Sequence, residues 1–443
     1  MYDVSGELKS FYDGHVRLGK ERRAQLATSR DACVARVSSG LAKLAADGAS
    51  KTGPVLDTVN QGSYAMHTLN QQSNDDYDID VGIIFDATAI PEVAPDARAR
   101  VLEGLKRGSG GVFAKDPEAR TNAVTAWYSQ GYHVDLAVYR RVTPRWGAPY
   151  LEHAGASWTK RDPSEVQDWF SRVVEEKQPW VLIGKPTVEP QQLRRVVRFV
   201  KAFCRSRASW DLPGGMIVTA LVAEVFLGDP RRDDVALFNT LAALRDRLKN
   251  GLEVVSPVDG SRLTYKPKFQ AQVRHLLERL DDKVPGLLVL NDVRCTKAEA
   301  LAAWDGIFRH TFWGDAGDEA EVEAVTKMGV AVVVMDVGVA QKVNGRIAYP
   351  YRDVGPVLPK GIGLRFSIRD PASLAGAEVT WSVRNSGDEA TDAEDLRHSS
   401  TRGPTEPHWE TTKYKGSHVM ICEAHRDGRL VGRGTRRIRI GSR

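Results

Sequence analysis

Cysteine is scarce in this 443-residue chain, and the four present, Cys33, Cys204, Cys295 and Cys422, stand singly. That spacing excludes a CxxC-type zinc site and argues against a disulfide framework. Long apolar runs are missing as well. The longest, "VAVVVMDVGVA" at 330–340, contains Asp336 and is too short to span a bilayer. The opening stretch "MYDVSGELKSFYDG" has no apolar signal core. A reduced, cytoplasmic protein without membrane contact is the expectation. GxxxxGK[ST], HExxH and GxSxG do not occur, so the motif-based readings they carry fall away. "KRGSGGVF" at 106–113 is Gly-rich, but it reads as a flexible turn rather than a phosphate cradle. Charge of one sign is not in large excess. A net +5 fits a polyphosphate ligand without demanding nucleic acid, and nucleic acid is not the expected partner.

What is present suggests two or three domains, because the chain is too long for one. Residues 15–46 have helical periodicity, with Leu26, Cys33, Val37, Leu41 and Leu44 on one face. A short strand, 55–59, and a Gly-Ser turn lead into "YDIDVGIIF", where Ile79, Val81, Ile83 and Phe85 alternate. Residues 122–140 read as two strands joined at Ser129-Gln130-Gly131. Helical patterns dominate from 163 to about 311. The stretch 317–360 is expected to be a linker of uncertain structure. From 361 onward, short alternating runs such as "GLRFSI", "EVTWSVRN" and "RRIRI" predict a small β-sandwich ending at 443.

The segment "NDDYDIDVGIIF" carries four carboxylates, Asp75, Asp76, Asp78 and Asp80, at the mouth of a strand. Strands disfavour Asp, and neighbouring like charges repel. Asp78 and Asp80, at i and i+2, project from one face, and Asp135 can join them from a later strand, where it shares a face with His133. Three close carboxylates need a cation, and Mg²⁺ typically binds through carboxylates plus substrate phosphates. Two such ions clamp the attacking and leaving oxygens of a phosphoryl displacement. Taken in isolation, the Asp-x-Asp also fits a solvated acidic turn. Gly62 and Ser63 precede it at a helix start, offering N–H groups and a hydroxyl to phosphate. In "QLRRVVRFVKAFCRSR", Arg194, Arg198, Lys201 and Arg205 form one basic stripe. That stripe reads as a solvated charged face or, for Lys201 within this constellation, as a phosphate contact.

Together "QGSY", "DYDIDVGIIF", "YHVDLAVY", "LRRVVRFVKAF" and "LPGGMIVTALVAE" resemble the bacterial cGAS/DncV-like nucleotidyltransferases over roughly 10–316. The resemblance implies an α+β fold, with a polymerase-β-like core and a helical lobe within 1–316. It implies an enzyme joining NTPs, ATP and/or GTP, into a cyclic di- or trinucleotide second messenger of anti-phage defence. An effector protein would sense the product. By resemblance, Asp78, Asp80 and Asp135 would hold two Mg²⁺ ions, with Mn²⁺ as the alternative. Gly62 and Ser63 would grip the donor triphosphate, and Lys201 would contact it from the helical lobe. No zinc module is implied. The family often carries a Ser in the turn after that helix, where this chain has Pro213-Gly214-Gly215.

Residues 361–443 resemble the AGS-C sensor domain through Trp381, Asn385, Gly387, Arg402, Gly403, Glu410, Thr412, Tyr414, Gly416 and His418. Trp381 is expected in the sandwich core. For His418, backbone bonding and ligand binding are both open. Two other functions compete with the leading one. One is nucleotidyl transfer to an RNA or small-molecule acceptor. The other is a nucleotide sensor with a vestigial catalytic half, against which the intact Asp78, Asp80 and Asp135 argue.

Overall fold

Two helices, α1 (Ser5–Phe11) and α2 (Lys20–Ala46), precede an α+β arrangement of β1 (Asp57–Asn60), α3 (Gly62–Ala65), β2 (Asp78–Asp86), α4 (Ala94–Ser109), β3 (Lys115–Ala119), β4 (Val124–Trp127), β5 (His133–Val142), β6 (Tyr150–Ala154) and β7 (Trp158–Lys160). The computed structural model describes residues 1–71, 77–181, 185–314, 330–351, 357–386, 389–390, 393, 395 and 397–441. Asp75, Asp76, Gly387 and positions 317–329 therefore lie outside the described residues. The sheet runs β1-β2-β5-β4-β3, with β6 on β5 and β7 on β6. Among the described strands of this sheet, only β2 and β5 pair in parallel.

Alternation explains the central strand. Ile79, Val81, Ile83 and Phe85 are fully buried beneath Leu26, Cys33, Val37 and Leu41 of α2 and Ala97, Val101 and Leu105 of α4. Each such side chain contributes roughly 1.5–3 kcal/mol on leaving water. Helices α2 and α4 cross at glycine. A Cβ at Gly40 would overlap the Gly104 carbonyl, and one at Gly108 would overlap the Arg36 carbonyl. Only bare backbone permits that approach.

Helices α5 (Glu165–Glu176), α6 (Gln192–Cys204), α7 (Gly215–Val225), α8 (Asp233–Asn250) and α9 (Pro267–Lys283) follow, then a 3-10 stretch at Val284–Asn291 and α10 (Lys297–Phe308). Helix α6 differs from its sequence reading. Its basic stripe is not solvated: Arg194, Arg195, Arg198 and Lys201 are all buried, and only Arg205 at the C-cap is exposed. Periodicity reports two faces of a helix. It does not report that other elements cover the polar one.

One compact unit holds Asp3–Asn291 with Gly306–Phe308, and the other holds Asp292–Asp305 with Arg309–Arg443. In the second unit the segment read as a linker, 317–360, carries strands where it is described: β8 (Ala331–Val332), β9 (Met335–Ala340) and β10 (Ile347–Pro350). Then come β11 (Gly363–Ile368), β12 (Glu378–Ser386), β13 (Arg397–Arg402), β14 (His408–Thr411), β15 (Gly416–Arg426) and β16 (Arg429–Ile440). Strand β9 pairs with β11 along its whole length, Ala340 opposite Gly363 through Met335 opposite Ile368. Met335, Val337 and Val339 enter the core while Asp336 and Gly338 do not. The sandwich thus starts near 331 rather than 361. The Val run conceals the alternation, which only the partner strand reveals. Its sheets are β10-β9-β11-β14 and β13-β12-β15-β16-β8. Between them lie Val337, Leu364 and Phe366 of one sheet and Val379, Trp381, Met420 and Ile438 of the other. Trp381 is fully buried there, stacked on His408 with centroids 5.7 Å apart.

Candidate active site

Parallel pairing of β2 with β5 sets the register of the carboxylates. Asp78 lies opposite His133 and Asp80 opposite Asp135. Neighbouring strands stand about 4.8 Å apart, so side chains at matched positions on one face must meet. Donor atoms of Asp78, His133 and Asp135 all fall within 4.8 Å of one another, and His133 Nε2 is 3.3 Å from Asp78 Oδ1.

Asp80 stands beside this group, with its carboxylate against the start of α3. Gly62 there has φ +60°, and a Cβ at that position would overlap the Asp80 carboxylate. Two independent constraints, left-handed backbone and close approach, therefore demand glycine. The Gln61 N–H donates to the Asp80 carbonyl at 3.0 Å. Gln61 Nε2 donates to the Tyr139 hydroxyl at 2.9 Å and to the Pro163 carbonyl at 3.3 Å. The Gly62-Ser63 turn is thus pinned to β2 and β5 by the residue that precedes it.

The cluster is electrostatically strained. Burial, then Asp78 and Asp135, push the Asp80 carboxyl up to about 8. Burial and Asp78 also raise Asp135, and its Oδ1 is buried without a hydrogen-bond partner among the described residues. An orphaned carboxylate oxygen in a group of converging anions fits a cation-binding role.

Residues 57–139 match the family profile described as the nucleotidyltransferase domain of the cyclic GMP-AMP synthase DncV-like group, a span holding Gly62, Ser63, Asp78, Asp80 and Asp135. Residues 324–441 match the adenylyl/guanylyl and SMODS C-terminal sensor domain. The chain thus carries the domains of a bacterial cGAS/DncV-like nucleotidyltransferase with a C-terminal sensor domain. Its second unit contains the sensor domain, and its first contains the nucleotidyltransferase domain of the enzyme. A cyclic GMP-AMP synthase of Escherichia albertii is 26% identical over 384 residues, covering 84% of this chain and 82% of that relative. Among solved structures, Vibrio cholerae DncV with the linear intermediate 5′ pppA(3′,5′)pG has a TM-score of 0.52 at 16% identity, covering 73% of this chain and 99% of that one. Another structure of the same cyclic AMP-GMP synthase gives 0.50 at 17% identity, covering 70% and 96%. At such identities the structural likeness concerns the polymerase-β-like fold.

Lys201, on α6, reaches the segment that follows α3. Its Nζ donates to Thr68 Oγ1 at 2.9 Å and to the Thr68 carbonyl at 3.3 Å. The Thr68 N–H in turn donates to the Ser63 carbonyl at 2.9 Å. Burial, then Arg205 and Arg198, bring Lys201 down to about 7. Arg194 donates to the Met66 carbonyl, and Asn70 Nδ2 donates to the Arg198 carbonyl at 2.8 Å. Helix α6 therefore holds residues 66–70 by buried cations and backbone. The turn Pro213-Gly214-Gly215 opens α7, and a Cβ on Gly215 would stand 3.8 Å from Lys201 Nζ. No hydroxyl occupies that turn, so its polar offering is backbone N–H.

Two residues of the site were not singled out from the sequence. His133 joins Asp78 and Asp135 in the group that could hold a metal ion; the i, i+2 spacing with Asp135 was the available signal. Gln61 positions the turn, and nothing local in the sequence marks it.

Proposed function

We propose that this chain joins nucleoside triphosphates into a cyclic di- or trinucleotide, with ATP and GTP as substrates, acting as a second-messenger synthase of bacterial anti-phage defence. An effector protein would read the product. The observation that carries the proposal is the register Asp78–His133 and Asp80–Asp135, set directly against the Gly62-Ser63 turn. The substrates follow from what the relatives make: cyclic GMP-AMP, and pppA(3′,5′)pG on the way to a ring.

In each step a ribose hydroxyl, 3′ or 2′, attacks the α-phosphorus of the second nucleotide in line. The new O–P bond forms as the bond to the β-phosphate breaks, and pyrophosphate leaves with the electron pair. Asp135, the half-buried carboxylate on β5, stands to receive the hydroxyl proton or to favour the alkoxide. Asp78, His133, Asp135 and Asp80 would hold two Mg²⁺ ions, which when bound would supply charge stabilisation at the attacking and leaving oxygens. Gly62 N–H and the Ser63 hydroxyl would orient the triphosphate, and Lys201 would brace that turn through Thr68. Repeating the step within the linear dimer or trimer closes the ring. No helix among the described residues is long and apolar enough to cross a membrane, in keeping with a proposed cytoplasmic site of action.

Labelled ATP and GTP incubated with the protein and Mg²⁺, then treated with phosphatase, test the proposal. A labelled species that resists phosphatase, and is absent with Asp78→Asn/Asp80→Asn, is expected. Labelled phosphate alone, or label transferred only to an added RNA, would overturn it.

A further inference from the structure

The sandwich unit has a cavity of its own, of about 350 Å³, in the range of small-ligand sites. Strand β14 supplies Trp409 and Glu410, β12 supplies Asn385, β13 supplies His398, and β15 supplies His418. Asp395 and Lys413 complete the polar wall. Nothing in the catalytic reading uses these residues, and this inference does not rest on that reading.

His418 is the decisive residue. It is only 2% exposed and stacks on Phe366, with rings 7° from parallel and centroids 6.4 Å apart. Its Nε2 is buried without a hydrogen-bond partner among the described residues. Burying an imidazole nitrogen unsatisfied costs free energy, so such an atom beside a cavity points to a ligand. Burial brings this imidazole down to about 4, so it is neutral at physiological pH and can meet a neutral polar edge.

The remaining polar atoms define what that edge must be. Glu410 Oε1 is shared by His398 Nε2 at 3.0 Å and His408 Nε2 at 2.7 Å. Its Oε2 has no bond to a described side chain. Asn385 commits its Nδ2 to the Asp395 carbonyl at 2.9 Å, which leaves its side-chain oxygen as an acceptor. Asp395 is occupied by His398 at 3.2 Å, by the Tyr414 hydroxyl at 2.9 Å and by Lys413 at 3.4 Å. Lys413, the cationic group of the wall, is thus already held by a carboxylate, and both ring nitrogens of His398 are taken by Asp395 and Glu410. A phosphate would face Asp395 and Glu410 with no such group at liberty. The wall offers acceptors, with Trp409 providing an aromatic surface.

We propose that this cavity binds a small molecule through a planar edge of adjacent N–H donors, the edge that a guanine base or a guanidinium group presents. The carboxylate of Glu410 takes the paired donors, and His418 and Asn385 meet the neighbouring atoms. Recognition is by the donor edge and not by phosphate.

Isothermal titration of the full-length protein in EDTA tests this, using guanosine, agmatine, adenosine and inorganic triphosphate as separate probes. Guanosine or agmatine should bind, and which of them binds identifies the source of the edge. Glu410→Gln should weaken that binding by about tenfold or more, as loss of a charged hydrogen bond requires. His418→Phe preserves the stack on Phe366 and should weaken it as well. Glu410→Gln also loosens His398 and His408, so Val343→Phe at the exposed rim of the cavity supplies a variant outside that network. It should block binding by steric filling, while a thermal melt like that of the wild type reports that the sandwich is folded. Three results would overturn the proposal: no binding of guanosine or agmatine at millimolar concentration, binding of triphosphate or adenosine in preference to both, or binding that Val343→Phe leaves unchanged.

Discussion

Removing one negative charge from the acidic cluster should stabilise the metal-free protein. Asp80 is the carboxyl to change, because burial and two neighbouring carboxylates raise it from 3.8 to about 8. In the unfolded chain it returns to the ordinary carboxylate range. Between about pH 4 and 8 the folded state therefore holds more of this proton than the unfolded state does. Linkage then makes stability fall as pH rises through that window. One pKa unit corresponds to about 1.4 kcal/mol, so raising pH from 6 to 8 costs the wild type roughly 2–3 kcal/mol at most. Asp78 and Asp135 share the charge, so the figure belongs to the cluster as a whole. Asp80→Asn keeps the shape and removes the charge. In EDTA, thermal melts of the wild type should drop by a few degrees from pH 6 to pH 8, and those of Asp80→Asn should drop less. At pH 8 the variant should melt higher. Added Mg²⁺ should reverse the order, since a ligand at a hundred times its Kd contributes about 2.7 kcal/mol to the form that binds it. If Asp80→Asn melts below the wild type at pH 8 without metal, the carboxylate is stabilised by partners, and the account of a strained anionic cluster fails.

Other outcomes follow from the same geometry. His133→Ala should lower Mn²⁺ affinity more than Mg²⁺ affinity in a calorimetric titration, because imidazole suits the transition metal better; equal losses would remove His133 from the ligand set. Lys201→Met should weaken NTP binding, because Lys201 braces the Gly62-Ser63 turn through Thr68. Because burial lowers Lys201 to about 7 from 10.5, wild-type stability should rise with pH between those values, and the variant should lack that rise. Unchanged NTP affinity with a large loss of metal-free stability would make Lys201 a packing residue only. A chain ending near residue 316 retains Asp78, Asp80, Asp135 and Lys201, and we propose that it stays soluble and makes the same product at an altered rate. Aggregation, or a different product, would contradict the independence of the two units.

Much of this molecule is written in short-range pattern. The i, i+2 spacing of Asp78 and Asp80 and the alternation of Ile79, Val81, Ile83 and Phe85 establish, without any partner, that carboxylates and core residues leave opposite faces of one strand. Repeats of three, four and seven in 15–46 likewise set the buried face of α2, since helix geometry is local. Other features were settled only by tertiary contact. Whether Asp80 faces Asp135 depends on the register of two strands separated by α4, β3 and β4, and a slip of one residue would turn Asp135 to the other face. The basic stripe of α6 became a buried set of anchors because residues 66–70 pack over it, and no periodicity within α6 encodes that cover. The segment 331–350 became sandwich strands because β11 pairs with β9, which leaves no mark on a run of valines. Local geometry determines which way each side chain leaves its own strand or helix. What it meets there is decided by long-range pairing, whose hydrogen bonds lie between segments that are distant in sequence.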